Sequence, residues 1–296
     1  MSIPKLDEVW PHFNTERSCI FWLLEEGIVE IPECCGKRMR LTNRSDKPYL
    51  AECNSGRVCR TRQSIFKNTF FGNSKLPCNT IMKLCYLWLA GIRLTQIQLL
   101  IGLSPNTITD WVKYLLELIT EDLEDLTDND VKLGGEGIIV EIDESKVAKR
   151  KYHKGHRVKG AWVIGGVERT ETRKFFAMRV PDRSRETILE VIQKFVHPGS
   201  IIYTDCWAGY ATEDLEKLGF QHLTVNHSEF YVDPETGVHT NTIEGTWAGL
   251  KLVISKRHRS GPSVDGYLDA FTWRRWFKDG LWDRLLLLIQ SAKYNN

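Results

Sequence analysis

The sequence predicts a mixed α/β domain over residues 131–296, entered through a small basic module with clustered cysteines and then a helical region. Three observations point there. From Gly137 onward, short apolar runs bounded by turn residues read as strands. Segments with apolar residues three and four apart interleave with them and read as covering helices. Upstream, Cys34, Cys35, Cys53 and Cys59 stand in a stretch, Cys34–Lys67, that holds nine Lys/Arg against two Asp/Glu.

Residues 1–72 open with short apolar runs, including Cys19-Ile-Phe-Trp22, and end with the basic module. Residues 73–130 are expected to be helical. Leu76–Leu89 reads as one helix stopped at Gly91. Leu94–Leu100 is a short amphipathic helix. In the turn Gly102-Leu-Ser104-Pro105, Ser104 can cap the next helix and Pro105 can take its first position. That helix runs from Asn106 to about Ile119, and the acidic stretch Glu121–Asp130 either extends it or acts as a linker. In residues 131–296, strands are expected at 137–143, 161–167, 174–180, 200–204 and near 222–225. Helices are expected at 185–195, 211–218, 239–253, 267–277 and 281–289.

The chain is 42% hydrophobic and 26% charged, which reads as a soluble globular protein. It has no apolar run of about 18 residues, and its start lacks a basic-then-apolar leader, so neither a membrane nor secretion is expected. Eight scattered cysteines are not a dense disulfide framework, and a reducing compartment is expected. The net charge of +2 hides an uneven distribution. Glu121–Asp130 carries six acids and no base, and Lys146–Lys159 carries seven Lys/Arg and no acid. The second block is Lys146, Lys149, Arg150, Lys151, Lys154, Arg157 and Lys159; a smaller one is Lys256, Arg257 and Arg259. Such blocks suit a polyanion, although a solvated charged face has the same composition.

Three acids fall where α/β domains place their chemistry. Asp143 ends the first strand of this domain, Asp205 ends the fourth, and Glu244 lies on a helix. Carboxylates at strand ends face the crevice. Two divalent ions held between them would clamp a scissile phosphate, one activating the attacking oxygen and the other stabilising the leaving one. Mg²⁺, or Mn²⁺, suits hard oxygen ligands. Taken singly, each acid is more often a surface or capping residue, so the set counts for more than its members. Lys251 is seven residues after Glu244 and can share its helix face, contacting phosphate or simply meeting solvent. Asn241 and His239 precede the glutamate and could orient a phosphate or a metal-bound water. His227, in a loop, could support them. Glu144 should point away from Asp143 on the strand period, which excludes it from this set.

The four cysteines suit a structural zinc, but Cys34-Cys35 and Cys53-x5-Cys59 are not two C-x-x-C knuckles. Cys19 or His12 could replace one of them, and a metal-free module with buried thiols remains the alternative. Leu94–Leu116 reads as a helix-turn-helix that would offer Asn106, Thr107 and Thr109 to a groove. An ordinary helical pair has the same pattern.

In order along the chain, Glu141-Ile-Asp-Glu-Ser145, Ile202-Tyr-Thr-Asp205 with Tyr210, and His239-Thr-Asn-Thr-Ile-Glu-Gly-Thr-Trp247 followed by Lys251 resemble Merlin-type transposases. These are relatives of the bacterial IS1016 and IS1595 (ISXO2-like) group. Ser64-Ile-Phe66 and Thr69-Phe-Phe71 resemble the end of the family's zinc ribbon, and the likeness covers about residues 30–290. It implies an RNase H-like core with Asp143, Asp205 and Glu244 as its DDE triad, two Mg²⁺ or Mn²⁺ ions and a structural Zn²⁺. It also implies double-stranded DNA as partner, at terminal inverted repeats and at the target. A homodimer or larger paired-end assembly would carry out cleavage and strand transfer, in the nucleus if the host is eukaryotic. A domesticated DNA-binding descendant and a nuclease without strand transfer are the rival readings.

Overall fold

The computed structural model describes residues 3–44, 47–56, 58–147, 160–207, 209–226, 229, 231–234, 236–255, 258–259 and 262–293. The chain divides into two compact units, residues 1–118 with 279–296, and residues 119–278.

The first unit opens with helices α1 (Leu6–Val9) and α2 (Glu16–Glu25), joined by a 3₁₀ turn at Trp10–Phe13. The Thr15 hydroxyl accepts the Ser18 N–H and caps α2, which buries Cys19, Ile20, Trp22 and Leu23. Short strands follow. β1 (Glu33–Cys34) and β2 (Lys37–Arg38) form a hairpin, and β3 (Arg40–Arg44), β4 (Lys47–Glu52) and β5 (Arg62–Ser64) form an antiparallel sheet. Next come α3 (Cys78–Leu89), α4 (Leu94–Ile101) and α5 (Pro105–Asp128). Gly102 closes α4 in the left-handed region, where a side chain would be strained. The Ser104 hydroxyl accepts the Thr107 N–H at 3.1 Å, the cap expected for α5. Of the acidic stretch, residues 121–128 continue this helix. Asp122 is buried there and accepts the Trp273 indole N–H at 2.7 Å.

The second unit holds β6 (Leu133–Gly134), β7 (Ile139–Lys146), β8 (Trp162–Glu168), β9 (Phe175–Val180), α6 (Arg185–Phe195) and β10 (Val196–His197). It continues with β11 (Ile201–Asp205), α7 (Thr212–Lys217), β12 (Gln221–Val225), α8 (Asn241–Val253) and α9 (Asp265–Trp276). The main sheet has the order β12-β11-β7-β8-β9. β8 runs antiparallel to its neighbours β7 and β9, and β7, β11 and β12 are parallel.

Apolar side chains cover both faces. Val140, Ile142, Ile164, Phe176 and Ile202 pack with Ile188, Ile192 and Leu215 of α6 and α7. Val163, Val167 and Phe175 pack with Ile243, Trp247, Leu250 and Leu268 of α8 and α9. A strand buried on both sides loses its polar alternation, which is why these segments read as nearly continuous apolar runs. The final helix, α10 (Leu281–Ser291), belongs to the first unit and not to the sheet domain. Its Trp282 packs edge-on against Tyr86 at 5.7 Å and tilted against Phe13 and Trp22, and Gln290 donates to the Gly27 carbonyl. Among the described residues no helix is long and apolar enough to cross a membrane.

Gly165 on β8 lies under the Trp247 ring, and a Cβ there would come within 2.6 Å of that ring and 2.9 Å of the Phe176 carbonyl oxygen. Gly165→Ala should therefore destabilise the domain by about 1–3 kcal/mol, read as a lower urea midpoint. His222 is buried between the hydroxyls of Thr204 and Thr212, each 2.9 Å from a ring nitrogen. Burial holds its imidazole below the ordinary 6.5. The unfolded chain then takes the proton more readily. This contribution is complete above about pH 6.5 and is lost as pH falls through that value. Urea midpoints measured across that range should fall on acidification, less steeply in His222→Gln.

Candidate functional site

β7 carries the first acid. Its alternation sends Val140 and Ile142 to the α6/α7 face and Glu141 and Asp143 to the α8 face. Asp143 does not end the strand, as the sequence suggested. β7 runs on to Lys146 because antiparallel β8 stays paired with it, whereas the parallel register to β11 stops at Glu141–Tyr203. Asp143 thus sits where the parallel neighbour leaves the central strand, the crevice position of α/β sheets. Asp205 lies two residues beyond Tyr203 on β11, as Asp143 lies two beyond Glu141, so both acids share a face. Glu244 is exposed in the first turn of α8, one turn before Trp247. The Trp247 indole N–H donates to Asp143 Oδ2 at 2.9 Å.

Burial, followed by the charges of Glu144 and Asp205, pushes the Asp143 carboxyl up to about 7 against the hydrogen bond from Trp247. A desolvated acid among like charges is what a bound cation would relieve, so this donor set suits a hard divalent ion. Among the described residues only the four cysteines have ligand atoms that all lie within 4.8 Å of one another, and the three acids are not drawn that close. Glu144 points to the opposite face, as its strand position implies. Burial raises its carboxyl, and Arg183 approaches to 3.9 Å. The Arg183 guanidinium lies over the rings of Trp162 at 3.9 Å and Trp207 at 4.4 Å.

The supporting residues are placed as follows. His239 Nε2 lies 2.5 Å from an Arg169 guanidinium nitrogen, and its Nδ1 lies 3.6 Å from Glu141 Oε1. Asn241 is exposed at the first position of α8, and Lys251 is half-buried in its last turn. Arg259 donates to the Ile254 carbonyl at 2.8 Å and to the Lys251 carbonyl, closing the C-terminus of α8. Lys146 lies over Trp162 at 5.1 Å. Asn106 is exposed on α5, while the Thr107 and Thr109 hydroxyls bond to Ser104 and to the Pro105 carbonyl. His227, Lys149, Arg150, Lys151, Lys154, Arg157, Lys159, Lys256 and Arg257 lie outside the described residues.

Sequence reading missed Glu141, Arg169 and the roles of Trp247 and Arg183. The signal for Glu141 was available, because two residues before Asp143 on a strand is the same face. Nothing near Arg169 in sequence marked it.

The cysteine module resolves its odd spacing. Cys35 and Gly36 both have positive φ, 53° and 70°, and form the two-residue turn between β1 and β2. That turn swings the Cys35 sulfur round to 3.9 Å from that of Cys34, which lies 3.6 Å from that of Cys59. Sulfurs around a tetrahedral zinc with bonds of about 2.3 Å lie about 3.8 Å apart, so the cluster of Cys34, Cys35, Cys53 and Cys59 could hold that ion. Cys19 is buried in α2 and takes no part. Hydrogen bonds from Thr61 pull the Cys59 thiol down to about 6, and the sulfurs of Cys53 and Cys59 push Cys34 up to about 12.

Residues 132–275 match the family described as the ISXO2-like transposase domain. That stretch, just under half of the chain, is similar to the transposase domain of the IS1595 group. The matched segment falls inside the second structural unit and contains Asp143, Asp205 and Glu244. A transposase-like protein of Haemophilus influenzae is 30% identical over 83 residues, which is 28% of this chain and 64% of that protein. The chain therefore spans less than two thirds of that relative. Among solved structures, the Mos1 strand transfer complex is 14% identical with a TM-score of 0.27, covering 73% of this chain and 79% of that one. A pre-cleavage Mos1 transpososome is 12% identical with a TM-score of 0.24, covering 73% and 80%.

Purified protein should hold about one zinc per chain by elemental analysis, and Cys59→Ser should lose most of it. A strong chelator should melt the cysteine module before the sheet domain, read by residue-resolved hydrogen exchange.

Proposed function

We propose that this protein is a DNA transposase that cleaves the ends of its own element and joins them to target DNA. The observation that carries this is the transposase-domain match over the segment that holds Asp143, Asp205 and Glu244. The sheet supports an RNase H-like core: in chain order its five strands lie as 3-2-1-4-5, with the second alone antiparallel to its companions. On this reading Asp143 and Asp205, on neighbouring strands, would hold the divalent ions together with Glu244 from α8. Mg²⁺ or Mn²⁺ bound there supplies the charge that activates an attacking oxygen and stabilises a leaving one.

The chain's own residues orient that site. Trp247 fixes one Asp143 oxygen by hydrogen bonding and roofs Gly165 with its ring, excluding water from that side. In the reaction, a water oxygen would bond to the phosphorus at the element end as the bond from phosphorus to the element's 3′-oxygen breaks, leaving a 3′-hydroxyl on the element and a 5′-phosphate on the flanking strand. That hydroxyl would then attack a phosphorus in target DNA, whose own 3′-oxygen leaves. Neither step requires a covalent bond to the protein.

The zinc-bearing module and the α4–α5 pair would bind the terminal repeats, and the basic run after β7 would hold flanking or target DNA. Two ends must meet, so the working form would be a homodimer or larger assembly. In a eukaryotic host its DNA substrate would place it in the nucleus.

A strand-transfer assay tests the proposal: purified protein, Mg²⁺, a labelled duplex from the element's own terminal repeat and a target plasmid. Joined products are expected from the native protein. They should fall by several orders of magnitude in Asp205→Asn, which should still bind the end duplex. Cleavage without joining would favour a nuclease, and binding alone would favour a domesticated DNA-binding protein. Joining retained by Asp205→Asn would sink the site assignment.

A further inference from the structure

We infer that Glu141 is a positioning residue: its carboxylate caps helix α8 from inside the sheet and thereby sets Glu244 against the strand that carries Asp143. This rests on the transposase reading for what Glu244 does, but not for the cap itself.

Glu141 is fully buried, with none of its surface exposed. Its Oε2 accepts the backbone N–H groups of Thr242 at 2.8 Å and Ile243 at 2.9 Å. Those are the second and third residues of α8, whose early N–H groups have no partners within the helix. The residue at the usual capping place, Thr240, makes no side-chain cap. The cap therefore comes from a carboxylate 101 residues earlier in sequence. Its charge also meets the positive end of the helix dipole.

The other oxygen accepts no hydrogen bond and is paired by charge alone. Glu141 Oε1 lies 3.4 Å from Arg169 Nε and 3.6 Å from His239 Nδ1. His239 faces the Arg169 guanidinium through Nε2, and its Nδ1 accepts the Asn241 backbone N–H at 3.3 Å, which ties the first residue of α8 into the same cluster. Arg169 in turn lies over the Tyr203 ring at 5.4 Å. A buried carboxylate is expensive unless paired and hydrogen-bonded, so Glu141 is not an incidental core residue.

The geometry gives the cap its consequence. Ile243 is followed by Glu244, and Glu141 stands two residues before Asp143 on the same strand face. One turn further along α8, Trp247 donates to Asp143. Helix and strand are thus joined twice, at Glu141 and at Asp143. Sliding α8 by one residue would break both joints. Glu244 is thereby held in one register relative to Asp143, before any ion arrives.

Two readouts on the full-length, zinc-loaded protein test this without relying on activity. The first is amide hydrogen exchange over residues 240–247. Glu141→Gln keeps the shape but removes the charge, and should speed exchange at the start of α8 about tenfold while β8 and β9 stay protected. The second is Mn²⁺ binding followed by loss of the free-ion spin-resonance signal. Affinity should weaken about tenfold or more, as when groups that orient metal ligands are removed. Arg169→Gln should shift both readouts the same way by less. Its side chain is 27% exposed, so it carries both arms if Glu141→Gln fails to fold. Unchanged exchange would overturn the cap. Faster exchange with unchanged Mn²⁺ affinity would overturn the positioning role and leave a plain helix cap. If both readouts move as expected but the native protein does not cleave its end duplex, the transposase reading fails and the placement of Glu244 by Glu141 stands.

Discussion

The two-sided alternation of β7 is the constraint on which the rest of the sheet domain depends. A strand shows successive residues to opposite faces, so Val140 and Ile142 enter one core while Glu141 and Asp143 enter the other. Two acids on an otherwise apolar face must each find donors. Glu141 finds the open end of α8, and Asp143 finds the Trp247 indole. The helix is drawn to the sheet by apolar burial: Ile243, Trp247 and Leu250 together contribute about 5–8 kcal/mol. The capping bonds are worth about 1–3 kcal/mol. Packing therefore decides that α8 lies on this face, and the polar contacts decide its register along it.

Much of this was legible in sequence because it follows from periodicity. The strands from 137 onward, the α6 helix and the turn at Gly102-Leu-Ser104-Pro105 lie where pattern and capping chemistry put them. Asp205 ends its strand as expected, but Asp143 does not, because strand length is set by the partner and β8 extends farther than β11. The place of α10 was not legible. Its apolar face fits any apolar surface, and only the aromatic cluster of Phe13, Trp22 and Tyr86 shows which one it uses. Residues 1–30 gave no reading for the same reason: they supply half of that cluster and make no sense without the other half.

The cysteine module shows a different limit. Spacing rules assume that neighbouring residues on a strand face opposite ways, and by that rule Cys34 and Cys35 cannot share an ion. The left-handed pair Cys35-Gly36 breaks the rule locally and turns adjacent sulfurs toward one centre. Glycine at the second position was the visible clue. A non-glycine residue at positive φ before it is strained and is not something a composition can announce.

The arginines near the acids divide by task in a way that sequence could not show. Arg169 is paired with Glu141, Arg183 lies between two indoles beside Glu144, and Arg259 closes the C-terminus of α8. All three brace the scaffold. Among the described residues no such cation acts on Asp143. Its donor is a neutral indole, and the charges that move its carboxyl are those of Glu144 and Asp205. A cluster built to hold stability would have put one of these arginines against Asp143. A carboxyl raised by burial and by like charges, with no such cation beside it, is the arrangement that the proposed divalent ion would relieve. Pairing around the site stabilises the frame, and Asp143 is the acid left for the proposed ion.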